Sequence, residues 1–201
     1  MNSSPDYELF SSINGLAGKS AVLDAIMIGS AKYLPVVFAL ALVALWLTWK
    51  PQTQRGAFLA GASALIALGL GQIVGHALPR PRPYLAHSVN QLIAPSVDTS
   101  FPSDHATLGF AVAVMIWHYN RKVGAGLLIL ALLLAFSRVF VGAHYPSDVL
   151  GGAVLGTVTS LVINALSGRD MARDALDRLF SFLARLHLAA RSAQGTTHSS
   201  I

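Results

Sequence analysis

Residues 124–141 read GAGLLILALLLAFSRVFV, an apolar run whose one charge, Arg138, stands near its end. Eighteen residues of helix reach about 27 Å, close to the thickness of a bilayer's hydrocarbon core. Working outward from it, similar runs occupy 33–49, 57–78, 104–119 and 146–166. The run at 104–119 is short for a span, at about 24 Å. A backbone in lipid must satisfy its own hydrogen bonds, which leaves helices or a closed barrel. These runs are too long and too continuous for barrel strands. The expected fold is therefore all-α, a polytopic integral membrane helix bundle of about five spanning helices.

Composition leads to the same class. Of 201 residues, 54% are hydrophobic and 11% are charged, against about 25% charged in soluble domains. So few charges cannot cover a water-soluble globule, and so much apolar surface excludes disorder. The net charge of +5 reflects basic residues retained in cytoplasmic loops, so no nucleic-acid partner is expected. Lys50 and Arg55, Arg121 and Lys122, and Arg169 and Arg173 fall on one side of the five runs. The positive-inside rule makes that side cytoplasmic and puts the N-terminus outside. With no cysteine, disulfides and thiolate chemistry are ruled out.

Residues 1–32 carry Asp6 and Glu8 and no basic residue before Lys19, unlike a signal peptide. They read as an outer-face interfacial segment of helical pieces. Residues 33–167 form the transmembrane domain. Residues 168–201 read as a cytoplasmic amphipathic helix, Leu176, Phe180 and Leu183 alternating with Arg178 and Arg185, and then a polar tail. That helix suits the anionic inner leaflet in preference to the alternative of a solvated surface.

Outside the basic clusters and the tails the titratable residues are few: His76, Arg80, Arg82, His87, Asp98, Asp104, His105, Arg138, His144 and Asp148. Nearly all fall at the outer ends of four spans or in the loop between the second and third. Ionisable groups at such depth are costly and mark function. In Arg80-Pro81-Arg82-Pro83 the prolines stop the helix and stiffen the chain, and two guanidinium forks suit a phosphate or anchor a membrane interface. In Phe101-Pro102-Ser103-Asp104-His105, Ser103 is a natural N-cap. The helix start offers backbone N–H groups to an anion, and His105 is placed to exchange a proton. His144 and Asp148 lie four apart at the start of the last span, where a carboxylate on one imidazole nitrogen leaves the other nucleophilic. A purely structural His–Asp pair is the alternative.

Arg82-Pro83, then Pro102-Ser103-Asp104-His105, then Ser137-Arg138 with His144 and Asp148, resemble the three motifs of the type 2 phosphatidic acid phosphatase superfamily. The Ser-Phe-Pro-Ser-Asp-His variant is similar to the bacterial undecaprenyl-pyrophosphate phosphatases of the bacitracin-resistance type. The resemblance implies that His144 attacks phosphorus to form a phosphohistidine, Asp148 orients it, and His105 protonates the leaving oxygen. It implies that Arg82, Ser103 and Arg138 hold the phosphate oxygens, with no metal and no cofactor. Asp104 is expected to orient or tune His105. The family's first motif begins with Lys seven residues before Arg82, where this chain has Gly75; Arg80 and His76 are possible substitutes. The substrate implied is a polyprenyl pyrophosphate lipid, converted to undecaprenyl phosphate for cell-wall synthesis. The location implied is the bacterial cytoplasmic membrane, with the site facing the periplasm or cell exterior. A broader lipid phosphatase acting on phosphatidylglycerophosphate, phosphatidic acid or diacylglycerol pyrophosphate, or an anion permease, stays open. Glycines on the second and fifth spans leave room for a prenyl chain or serve helix packing.

Overall fold

The computed structural model describes residues 4–168 together with 174, 177–182 and 185. Among these residues the chain is all helix: α1 (Pro5–Asn14), α2 (Ala21–Trp46), α3 (Pro51–Ala77), the single turn α4 (Pro83–Ala86), α5 (Asp104–Tyr119), α6 (Arg121–Phe140) and α7 (Pro146–Ser167). Four of them, α2, α3, α6 and α7, are long and apolar enough to cross a membrane. Exposed apolar side chains such as Leu40, Leu65, Ile129 and Val154 line their outer surfaces, a covering suited to lipid and not to water.

The first span differs from the expected one. The helix expected from residue 33 begins at Ala21, so the expected domain boundary at 32/33 falls inside α2. Asp24, which breaks the apolar pattern, sits in the first turn and accepts from the Gly18 amide at 3.1 Å. A carboxylate there is favourable, because the helix dipole is positive at that end. Lys32 lies exposed and interrupts nothing.

The 16-residue α5 is central and packs against α3, α6 and α7. It is surrounded by protein, with Ala106, Ala111, Val112, Ala113 and Met115 all buried. Small residues on α7 allow that approach. A Cβ at Gly152 would lie 2.5 Å from the Ser103 carbonyl, and one at Gly156 would collide with the Thr107 carbonyl. Ser160 Oγ donates to the Ala111 carbonyl at 2.6 Å. Gly152 and Gly156 are thus spent on helix packing.

Asn120 ends α5 and caps α6, accepting from Val123 N at 3.1 Å. The opposite turn, from α6 into α7, needs Gly142 at φ +83°, where an added Cβ would lie 3.1 Å from the Asn90 carbonyl. These two turns put the ends of α3 and α6 and the starts of α5 and α7 on one face, and Lys50, Arg55, Arg121 and Lys122 at the other. The expected C-terminal amphipathic helix falls largely outside the described residues. Within them, Phe180 is buried against Trp46 and Phe58, and Asp177 pairs with Arg55 at 2.8 Å.

Candidate active site

His144 follows the Gly142 turn, its amide held by the Arg138 carbonyl at 3.3 Å, and its side chain is buried. Nδ1 lies 2.8 Å from the Ser100 carbonyl. A carbonyl only accepts, so Nδ1 carries the proton and Nε2 the lone pair. Arg82 Nη1 donates to Nε2 at 3.1 Å. The tautomer needed for attack through Nε2 is therefore set by a backbone oxygen. Asp148 Oδ2 stands 3.8 Å from Nδ1, too far for a hydrogen bond, and acts on the ring through Ser100. Ser100 Oγ donates to Asp148 Oδ2 at 2.5 Å. The expected direct contact between the pair is thus bridged by Ser100, the first residue of the Ser-Phe-Pro-Ser-Asp-His stretch, to which no role was assigned.

Burial pushes the His144 imidazole down to about 4; the Asp148 carboxylate opposes this, and Arg82 and Arg138 reinforce it. The ring is neutral at neutral pH. Asp148 is fully buried and also accepts from the Tyr145 amide at 2.9 Å, and its own carbonyl accepts from the Ser103 amide at 3.0 Å. That last bond joins the starts of α5 and α7 and removes one N–H from the donors expected for a phosphate.

Ser103 holds the N-cap position of α5, but its hydroxyl makes no capping bond. The buried Oγ of Ser103 and the buried Nε of Arg138 have no hydrogen-bond partner. Buried polar atoms are nearly always paired, and an orphaned one calls for an explanation. A phosphate oxygen supplies an acceptor for both. His105 lies in the first turn of α5, two residues after Ser103.

The two arginines of the Arg-Pro-Arg-Pro stretch part company. Arg82 is buried, donating from Nε to the Asp98 carbonyl at 3.1 Å and pairing through Nη2 with Asp98 Oδ2 at 3.0 Å. Burial opposes ionisation of Asp98, but hydrogen bonds led by Ser96 and the Arg82 charge hold its carboxyl below the usual range. Arg80 instead donates to Asp148 Oδ1 at 2.7 Å, Ser147 Oγ at 2.6 Å and Asp6 Oδ2 at 2.7 Å, and lies over the Tyr145 ring. Its fork is occupied by the two carboxylates and the Ser147 hydroxyl.

A polar cavity of about 230 Å³ adjoins Arg82, lined also by Gln72, His76, Asp98, Thr99 and Asp104. Asp104 accepts from Gln72 Nε2 at 3.1 Å. His76 Nδ1 is bonded to the Gln72 carbonyl at 2.7 Å, while its ring lines the cavity. Gly75 is sealed. A Cβ there would lie 2.7 Å from Thr99 Oγ1 and 3.1 Å from the Phe101 carbonyl. His87 is not in this site but stacks on Tyr7, with centroids 3.8 Å apart.

Against known proteins, the profile of the PAP2 superfamily matches residues 56–171. The undecaprenyl-diphosphatase BcrC of Bacillus subtilis is 38% identical over 172 residues, 86% of this chain and 88% of that protein. A protein of Bacillus licheniformis named bacitracin transport permease protein BcrC is 33% identical, covering 79% and 78%. Among solved structures, Aquifex aeolicus LpxE superposes with a TM-score of 0.65 at 24% identity, over 82% of this chain and 97% of that one.

Proposed function

The chain belongs to the PAP2 superfamily, and from that premise we propose that it hydrolyses undecaprenyl diphosphate to undecaprenyl phosphate and phosphate. One observation carries the proposal. A neutral His144, its lone pair on Nε2, faces a buried arginine beside two orphaned polar atoms that a phosphate would satisfy. The substrate comes from the named activity of the Bacillus subtilis relative.

In the proposed reaction the terminal phosphoryl group takes up the forks of Arg82 and Arg138 and the Ser103 hydroxyl. Arg82 is thereby drawn off Nε2, which attacks phosphorus. The P–N bond forms as the bridging P–O bond breaks, and His105 gives its proton to the departing lipid phosphate. The arginines offset the charge that develops on the oxygens, the role usually largest in such catalysis. The neutral His105 then takes a proton from water, which cleaves the phosphohistidine and releases phosphate. Asp148 and Ser100 keep the imidazole in place throughout. The polar cavity beside Arg82 is where the remaining phosphate of the substrate fits.

The basic residues at the opposite ends of the helices support a site on the outer face of the bacterial cytoplasmic membrane. A permease, as the Bacillus licheniformis relative is named, needs polar groups along a path. Residues 56–75, 106–117, 123–137 and 149–167 contain no charged side chain. Phosphate release from purified undecaprenyl diphosphate, phosphatidylglycerophosphate, phosphatidic acid and diacylglycerol pyrophosphate tests the reading. The polyprenyl lipid should be turned over fastest, and His144→Ala should release no phosphate from it. Preference for a glycerolipid would overturn the substrate, and near-normal turnover by His144→Ala would overturn the nucleophile.

A further inference from the structure

We propose that Asp6, on the N-terminal helix, is a positioning residue of the catalytic site, holding Arg80 and the start of α7 so that Asp148 can orient His144. The inference rests on the hydrolytic reading above. Asp6 lies outside every motif and outside residues 56–171, and 142 positions separate it from Asp148.

Its carboxylate makes three bonds. Oδ1 accepts from the Ser147 amide at 3.0 Å, and Oδ2 accepts from Ser147 Oγ at 2.6 Å and from Arg80 Nη2 at 2.7 Å. Ser147 is the second residue of α7, so a carboxylate from a different helix occupies the positive end of that helix. Through Arg80 the chain of contacts continues to Asp148 Oδ1, and from Asp148 through Ser100 to His144.

The need for such a clamp follows from Asp148. It is wholly buried, and a buried carboxylate is unfavourable unless its charge is met. Arg80 meets it, but Arg80 is itself about a third exposed, on a long flexible stem. Held by Asp148 alone, the guanidinium would keep one arm unpaired and could turn toward the phosphate donors nearby. Asp6 takes that arm, and the face of Tyr145, 4.0 Å away, restrains the plane. Arg80 therefore stays with the carboxylates while Arg82 keeps the phosphate side.

The geometry of α1 fixes Asp6 in turn. At the far end of the helix, Asn14 Nδ2 donates to the Asn90 and Phe140 carbonyls at 2.9 and 2.8 Å, and Asn14 Oδ1 accepts from the Asn90 amide at 2.9 Å. Midway, Phe10 is buried against Tyr145. Helix α1 is strapped at both ends, and one of its straps is the catalytic scaffold.

The test measures steady-state phosphate release in detergent on the lipid that wild type prefers in the panel above. Asp6→Asn, which removes the charge and keeps the size, should lower kcat about 10- to 100-fold, by analogy with the loss when the partner that orients a metal-bound histidine is removed. KM should stay within about threefold, because Asp6 touches no phosphate-binding group, and the melting temperature should hold. Asp6→Glu, which keeps the charge, should recover most of the loss. Ser147→Ala should lower kcat severalfold, and its effect should not add to that of Asp6→Asn. It carries the test alone if Asp6→Asn does not accumulate. A kcat within twofold of wild type in these variants would overturn the inference. So would a loss shared equally by Asp6→Glu and accompanied by a lower melting temperature. A wild type that prefers another lipid in the panel would overturn the proposed substrate and still test Asp6. A wild type inactive on the whole panel would overturn both.

Discussion

Restoring the family's lysine at position 75 should impair this protein. The Cβ of any residue there would lie 2.7 Å from Thr99 Oγ1 and 3.1 Å from the Phe101 carbonyl, where ordinary contact begins near 3.4 Å. The threonine hydroxyl can rotate away, but the carbonyl is backbone, so the 99–101 segment must retreat by about 0.3 Å. Ser100 sits in the middle of that segment. Its carbonyl fixes the His144 tautomer at 2.8 Å and its hydroxyl holds Asp148 at 2.5 Å. Overpacking of this kind costs about 1–3 kcal/mol, and each 1.36 kcal/mol expressed in the transition state is tenfold in rate. Gly75→Ala should therefore lower kcat at least about fivefold, and Gly75→Lys at least as much, despite the added cation. Thr99→Ala removes the closer contact and leaves the backbone one, so it should restore only part of the activity of Gly75→Ala. Steady-state phosphate release at saturating lipid measures this directly. A Gly75→Lys enzyme as fast as wild type, or faster, would refute the claim that position 75 is closed by the segment that positions the nucleophile.

Other consequences can be checked with the same preparation. The neutral form of His144 is the nucleophile and burial holds its pKa to about 4. Activity should therefore be present above that value and be lost as pH falls through it, so the acid limb of kcat/KM belongs well below the ordinary histidine value of about 6.5. A limb near 6.5 would contradict the buried, arginine-flanked imidazole. Gly156→Ala drives a methyl into the Thr107 carbonyl and to 2.9 Å from the Ala111 amide. It should cost about 1–3 kcal/mol, read as a lower melting temperature in detergent, and an unchanged melting temperature would contradict the tight α5–α7 contact. Two arginines and a serine suffice for the phosphate in the proposed mechanism, so activity should survive excess EDTA; a strict magnesium requirement would remove that mechanism.

How much of this was legible beforehand varied by residue, for physical reasons. Long apolar runs in lipid have one solution, so the spanning helices could be read and the short central one recognised. The first helix was read twelve residues late, because hydropathy treats Asp24 and Lys32 as interruptions. One of them is a dipole-compensating group and the other a side chain on the outer surface. The convergence of Arg82, Ser103, His105, Arg138, His144 and Asp148 was readable from spacing. Each lies at the end or start of an apolar run, and antiparallel helices must bring such ends to one face.

Chemistry that depends on which side a residue turns was not readable. Arg80 and Arg82 are two residues apart in a stretch of identical chemical character, and nothing local says that one meets a carboxylate and the other an imidazole. Ser100 acts through a carbonyl that every residue possesses, so its type carries no signal beyond its hydroxyl. Asp6 shows in the sequence only as an acidic residue of the N-terminal segment, because its partners lie 74 and 141 positions away. The same reasoning separates two layers of the site. Groups that touch the phosphate need particular side chains in particular order, and so they leave motifs. Groups that hold those side chains need only an acceptor or a donor at the right point in space. The N-terminal helix can supply one without resembling anything, and such residues are found from hydrogen bonds rather than from patterns.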